Sequence, residues 1–305
     1  MNQTNIKKIT ILIVSYYSSK HLVRILNNLI EKAELPEQLQ FLIVDNTNGL
    51  DPELKNLFNE RNDLRILLND GSKKQRSISH SNALDLGLSH CNSEFTLIID
   101  PDVYIFKKKW DTLCLKLCNK KRPTIVGAPY PKWKIGKVHD YPSVVFMFFK
   151  TKELQKLDLS FYPFPELILR IKNSILRKII RLGFLGSKRS LNQNLRLRSL
   201  TSWLEKLTGI TSPDTGDQFI KGLRSTGAQA ICFEAKYNKD ILINNSKALS
   251  KLSKEFEIFI FDNELMMTHM YGSGVFYWKT EKGADIKYWK KLITNIEKNG
   301  YGILK

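Results

Sequence analysis

In the first half of the chain, short apolar runs alternate with amphipathic stretches. Ile9 to Val14 and Phe41 to Val44 are nearly continuous apolar runs. That pattern predicts strands buried on both faces. Leu64 to Leu68 and Glu94 to Asp100 read as a third and fourth strand. Between the first two, His21 to Ala33 places Leu22, Ile25, Leu26, Leu29 and Ile30 on one helical face. Asp51-Pro52 opens a short helix holding Leu54, Leu57 and Phe58, and Ser77 to Leu88 predicts a helix stopped by Gly87 and a polar turn. Trp110 to Cys118 predicts a further helix, and Thr124 to Ala128 and Val144 to Phe149 shorter strands. Strands alternating with helices imply an α/β fold with a mostly parallel central sheet and helices on both faces. No internal repeat is present.

The pattern changes near Phe161, where Phe161-Tyr162-Pro163-Phe164-Pro165 breaks it. Leu167, Ile168, Ile171, Ile175, Ile179 and Leu182 then recur at helical spacing, with Arg170, Lys172, Arg177, Lys178 and Arg181 among them. Lys188, Arg189, Arg196, Arg198 and Lys206 follow, against only Glu166 and Glu205. Phe184 and Trp203 lie nearby. A basic amphipathic segment of this kind fits a membrane interface. It equally fits a helix packed on the core with its basic face in water. Beyond it, Ser212 to Asp217 is a polar turn leading into a helix, and Ala230 to Phe233 is a short strand. Glu264 to Met270 is strand-like and runs into the glycine-bearing loop His269 to Gly274. The tail from Asp285 reads as a basic amphipathic helix. Residues 1–150 thus form one half and 151–305 a second, with the basic segment at about 161–210.

Composition adds one constraint. The formal net charge is +18 over 305 residues, which points to an anionic partner: nucleic acid, a phosphorylated substrate or a membrane surface. No signal peptide and no stretch of transmembrane length are expected. The cysteines Cys91, Cys114, Cys118 and Cys232 form no zinc pattern. They suit a soluble or peripheral protein of a reducing cytoplasm.

The candidate chemistry centres on Asp100-Pro101-Asp102. Pro101 has no N–H to give a central strand, so the fourth strand ends at Asp100. Both carboxylates then sit at the carboxyl end of a buried strand, where open α/β sheets bind ligands. Two carboxylates one residue apart make a hard-oxygen site for Mg²⁺ or Mn²⁺. An Asp-Pro turn can also simply close a strand. Ser15-Tyr16 follows the first strand and Asp45-Asn46 the second, so three polar motifs fall at carboxyl ends of neighbouring strands.

Ile-Val-Ser-Tyr-Tyr (13–17), Ile-Val-Asp-Asn (43–46), Ser-Asn-Ala-Leu-Asp-Leu-Gly-Leu (81–88) and Ile-Ile-Asp-Pro-Asp-Val (98–103) occur in this order. Together they resemble the nucleotide-sugar half of a family 2 glycosyltransferase with the GT-A fold, of the bacterial cell-surface polysaccharide or lipopolysaccharide type. The resemblance covers about Ile9 to Lys150. It implies an inverting, metal-dependent transferase for a hexosyl or deoxyhexosyl group. Such an enzyme takes a nucleoside-diphosphate sugar and a saccharide or lipid-linked acceptor at the inner face of the cytoplasmic membrane. It implies that Ser15, Tyr16 and Asp45 hold the donor's base and ribose, that His80, Ser81 and Asn82 line the donor side, and that Asp100 faces the ribose or sugar. Asp102 would bind Mn²⁺ or Mg²⁺, with His269 as a further ligand and Gly272-Ser273-Gly274 near the phosphates. The family's frequent Glu-Asp base pair is missing. Asp214-Thr215-Gly216-Asp217 is its substitute, with Asp214 as base and Asp217 in support.

Two rivals differ in class. A sugar nucleotidyltransferase carries a Gly-rich, basic phosphate loop after its first strand, where this chain has Ser15-Tyr16-Tyr17-Ser18-Ser19. A non-catalytic basic binder of membrane or nucleic acid suits the charge but leaves the three strand-end motifs without a role. The transferase reading expects no nucleic-acid partner.

Overall fold

The computed structural model describes residues 7–59, 61, 63–71, 76–119, 121–163, 167–180, 182, 185–241, 246–270 and 286–300. The first half runs β1 (Ile9–Ser15), α1 (Ser19–Lys32), β2 (Leu39–Asp45), α2 (Pro52–Asn59), β3 (Leu64–Leu68), α3 (Arg76–Ser89), β4 (Phe95–Ile99), β5 (Val103–Ile105), α4 (Trp110–Cys118), β6 (Thr124–Pro129) and β7 (Pro142–Lys150). The second half adds α5 (Thr151–Gln155), α6 (Leu167–Ile180), α7 (Lys188–Gln193), α8 (Leu195–Thr208), α9 (Asp217–Ser225), β8 (Gln229–Cys232) and β9 (Glu234–Ala235). It ends with α10 (Lys247–Glu255), β10 (Glu257–Phe261), β11 (Glu264–His269) and α11 (Ile286–Asn299).

Seven strands form the main sheet in the order β3-β2-β1-β4-β7-β6-β8. β3, β2, β1 and β4 are parallel, β7 is antiparallel to both its neighbours, and β8 is parallel to β6. The apolar run of β1 faces both ways because successive side chains alternate across a strand. Ile9, Ile11 and Ile13 join one core with Leu22, Ile25, Leu26 and Leu29 of α1. Leu12 and Val14 join another with Ala83, Leu84 and Leu88 of α3. The division at residue 150 falls between β7 and α5, and β8 returns to the same sheet from beyond it.

Gly87 does not end α3, as the sequence suggested; the helix continues to Ser89. Gly87 lies on the face turned to the sheet, where a Cβ would overlap the Leu12 side chain. Its role is close helix–strand approach, not termination.

A second sheet, β5-β11-β10-β9, is antiparallel and was only partly visible in the sequence. Its central hairpin turns through Asp262 and Asn263, at φ 49° and 60°. Positive φ at both central residues is the type I′ requirement, and Asp and Asn tolerate it. That turn sets Phe261 opposite Glu264 and, past an irregularity at Phe259/Ile260, Glu257 opposite His269. β11 also pairs with β5, setting His269 opposite Val103. Trp289, Leu292, Ile293 and Ile296 of α11 pack behind this sheet with Leu249 and Leu252 of α10.

No described helix is long and apolar enough to cross a membrane. The described cysteines are all free thiols.

The pairing of β6 with β7 needs close backbone approach at Gly127, where a Cβ would overlap the carbonyl oxygen of Phe146. Gly127→Ala should therefore cost about 1–3 kcal/mol, the usual cost of overpacking a tight site. A denaturation midpoint at wild-type position would contradict that packing.

Candidate active site

The carboxyl ends of β2, β1 and β4 lie side by side, as the sequence reading required. Beyond β4 the chain turns at Asp100-Pro101-Asp102 and enters β5. The main chain of Asp100 is pinned at both ends: its N–H donates to Val145 O (3.2 Å), and its carbonyl accepts from Val103 N (3.3 Å). Met270 N donates to Asp102 O at 2.9 Å, which ties the end of β11 to the same turn.

The result is a cluster of Asp100, Asp102 and His269 whose ligand atoms lie within 4.8 Å of one another. His269 Nε2 is 3.2 Å from Asp102 Oδ1 and 3.8 Å from Asp100 Oδ2. Asp102 and His269 are buried, and Asp100 is partly open. Two carboxylates and an imidazole nitrogen form a donor set that fits Mn²⁺ and also accepts Mg²⁺. Asp100 thus lies in the cluster with Asp102 and His269.

Two residues behind the cluster were missed by the sequence reading. Glu257 Oε2 accepts from His269 Nδ1 at 2.9 Å, and Lys134 lies 2.7 Å from Glu257 Oε1. A carboxylate on one imidazole nitrogen fixes the ring and directs the other nitrogen to the metal position. The charges balance in kind. Burial would push His269 down, but Asp102 and Glu257 outweigh it and raise the imidazole to about 10. Burial would raise Glu257, but Lys134 and His269 hold it at about 2. Asp100 rises to about 7, chiefly through burial, although His269 pulls it down. The legible signal for Glu257 was the apolar run Glu257 to Phe261 before an Asp-Asn turn, a hairpin signature.

Helix α1 supplies a buried polar stripe at His21, Arg24, Asn28 and Lys32, on a helix read only for its apolar face. Arg24 donates to Val103 O at 2.7 Å and to Pro101 O at 2.6 Å, and its guanidinium lies 4.4 Å from the Trp289 ring centre. Asn28 donates to Ile105 O at 3.0 Å and accepts from Ile105 N at 2.7 Å. Lys32 donates to Glu297 of α11 at 3.0 Å. These contacts hold the Asp100–Ile105 turn and strand against α1. Spacings of three, four and four residues in a helix were the available signal.

His80 Nε2 stands 4.0 Å from Asp100 Oδ1. Desolvation lowers its imidazole to about 4, against the attraction of Asp214. Tyr16 and Tyr17 are exposed beyond β1, their rings in an edge-to-face contact at 5.0 Å. Asn82 is partly buried on α3.

Three further predicted donor residues make hydrogen bonds within the protein. Ser15 Oγ bonds Ser18 Oγ at 2.9 Å. Ser81 Oγ donates to Ser77 O at 2.6 Å and Phe161 O at 2.9 Å. Asp45 accepts from Thr47 N (2.9 Å), Thr47 Oγ1 (2.6 Å) and Gly49 N (2.9 Å), which closes its own loop.

Asp214 lies in the loop before α9. It is paired with Lys137 and accepts from Thr215 N at 2.9 Å. Burial would raise its carboxyl, but Lys137, Thr215 and Tyr130 hold it below the ordinary range. Its negative charge acts on both Asp100 and His80. Asp217 pairs with Lys221 at 2.7 Å, and its Oδ1 is buried with no hydrogen-bond partner among the described residues. Neither aspartate caps α9: Gly216 occupies that position at φ 91°. Gly272-Ser273-Gly274 lies outside the described residues.

Removing the support from His269 should loosen metal binding. Glu257→Gln should weaken Mn²⁺ affinity by about 10–100-fold, the usual loss for such an outer partner. Titration of Mn²⁺ by paramagnetic resonance reads this directly, and unchanged affinity with an intact fold would refute the role.

Comparison with known proteins follows this geometry. The profile described as Glycosyl transferase family 2 matches residues 10–177. No curated protein matches the chain. Among solved structures, mannosyltransferase PcManGT from Pyrobaculum calidifontis, in complex with GDP-Man and Mn²⁺, is similar at 17% identity. That likeness covers 50% of this chain and 47% of that one, with a TM-score of 0.40. TarS 1–349 from S. aureus, in complex with UDP-GlcNAc, is similar at 20% identity over 52% and 48%, with a TM-score of 0.39. The chain spans about half the length of these structures. The family profile itself covers more than half of the 305 residues, including β1 through α5 and the Asp100–Asp102 turn, and the chain belongs to glycosyl transferase family 2.

Proposed function

We propose that the protein transfers a hexosyl or deoxyhexosyl group, with inversion, from a nucleoside-diphosphate sugar to a saccharide or lipid-linked acceptor. The observation that carries this reading is the Asp100–Asp102–His269 cluster, whose ligand atoms lie within 4.8 Å of one another. Those three residues would hold Mn²⁺ or Mg²⁺. Bound there, the ion supplies Lewis-acid stabilisation of the leaving diphosphate.

The chain's own residues divide the rest of the work. Tyr16, exposed at the end of β1, offers a face on which the donor base can stack. His80, kept neutral beside Asp100, can hydrogen-bond the sugar without adding charge. Asp214 accepts the proton of the acceptor hydroxyl as its oxygen attacks the anomeric carbon and the bond to the diphosphate breaks. Lys137 and Tyr130 hold that carboxylate in place. One base and no covalent intermediate suffice for inversion.

The acceptor belongs, on this reading, to cell-envelope glycan synthesis in a bacterium, with the enzyme peripheral at the inner face of the cytoplasmic membrane. The net charge of +18 supports an anionic surface as partner. The loop after β1 has no basic residue between Ser15 and Ser19, which argues against a sugar nucleotidyltransferase.

Two substitutions test the assignment. Asp102→Ala should abolish transfer while leaving the fold intact; wild-type turnover by this variant in EDTA would contradict a metal-assisted reaction. Asp214→Asn should lower kcat by about 10²–10⁴-fold with little change in donor affinity, as expected for a lost general base. Full activity would place the base elsewhere.

A further inference from the structure

Helix α6 presents its apolar stripe outward. Ile168, Ile171, Ile175 and Ile179 follow at intervals of three, four and four residues, and they are 82%, 56%, 57% and 54% exposed. A helix packed on the core would bury such a stripe. Here Ile180 is buried, while Leu176 lines a cleft against α8. Lys172 and Lys178 border the exposed isoleucines. α8 repeats the arrangement: Leu200, Trp203 and Leu207 are 45%, 56% and 66% exposed, with Arg196 and Lys206 exposed beside them. The cleft between the helices has a volume of about 470 Å³. Lys172, Leu207 and Lys221 line it, and Leu207 also belongs to the exposed stripe of α8. The cleft therefore opens on that outward face. Pro213 and Asp217, which flank the Asp214 segment in sequence, also line it.

We infer that α6 and α8 together form a docking surface for an anionic bilayer, with the isoleucine stripe and Trp203 in the acyl boundary and the bordering lysines and arginines at the headgroups. Rows of isoleucine edged by cations match an anionic lipid interface in both polarity and charge. A water-soluble partner would need its own apolar face to cover four exposed isoleucines. Docking in this orientation sets the cleft, with Pro213 and Asp217 in its lining, at the lipid surface. The inference rests on the reading of the protein as a transferase with a membrane-borne acceptor, and it names the surface that meets the membrane.

The test uses the full chain and vesicles of phosphatidylcholine with or without phosphatidylglycerol. Wild type should sediment with the anionic vesicles and far less with the neutral ones. Ile171→Glu/Ile175→Glu, at exposed positions that leave the core untouched, should lower that partition at least about tenfold. Lys172→Glu/Lys178→Glu should lower it about tenfold and abolish the preference for anionic lipid. Wild type remaining in the supernatant, or sedimenting as well with the isoleucines replaced, would overturn the inference. So would a dimer in light scattering that the isoleucine variant dissolves without any vesicle binding, because the face would then be a contact between copies. Thermal stabilisation by Mn²⁺ with nucleoside diphosphates separates the two readings. If it persists while vesicle binding is absent, the docking surface alone is wrong; if it is absent in wild type, the transferase reading fails first.

Discussion

Three carboxylates share one buried imidazole, and much of the second half of the chain is arranged to make that tolerable. Unpaired charges in a low-dielectric interior are costly. Asp100, Asp102 and Glu257 surround His269, and Lys134 backs Glu257. The arrangement depends on strand register. Asp102 reaches His269 because β5 pairs with β11, and Glu257 reaches it because the type I′ turn sets β10 against β11. A one-residue slip would turn Glu257 or His269 to the other face of the sheet. The hairpin turn at Asp262-Asn263 therefore bears on the chemistry, although it lies far along the chain from Asp102.

The segment from Tyr130 to Tyr141, between β6 and β7, connects the two halves of the site. Lys134 meets Glu257 behind the Asp100–Asp102–His269 cluster, and Lys137 meets Asp214. His139 bonds Glu205 of α8 at 3.0 Å. A single segment thus touches the cluster, the candidate base and the helix pair α6–α8. This gives a physical route by which seating α8 on a surface could bear on the position of Asp214, since Lys137 and His139 are two residues apart.

The sequence made the first half of the fold legible because its strands are buried on both faces and so appear as unbroken apolar runs. That these strands are neighbours and that the Asp100–Asp102 turn closes one of them were readable, whereas His269 entered only through the family resemblance. The second sheet was harder. Its strands are short, and Glu257 looks like a surface residue until the hairpin sets it opposite His269. The stripe His21–Arg24–Asn28–Lys32 was hidden by the stronger apolar periodicity of the same helix. Ser15, Asp45 and Ser81 show the reverse problem. Each makes hydrogen bonds within the protein, Ser81 as far along the chain as Phe161, which residue order alone does not reveal. The two readings of the basic segment could not be separated by periodicity, because an apolar stripe has the same spacing whether it faces a core or a lipid. Exposure of Ile168, Ile171, Ile175 and Ile179 shows that this stripe does not pack on the core.

The central claim is that the Asp100–Asp102–His269 cluster is where ion and nucleotide sugar meet. The most direct measurement is thermal unfolding of the full chain against a panel of nucleoside-diphosphate sugars, each with and without Mn²⁺. The account predicts that one nucleotide class stabilises the protein, by about 2.7 kcal/mol at a hundredfold excess over Kd. It also predicts that the effect needs Mn²⁺ and disappears in His269→Ala. Stabilisation of equal size in EDTA, or its survival in His269→Ala, would contradict the claim.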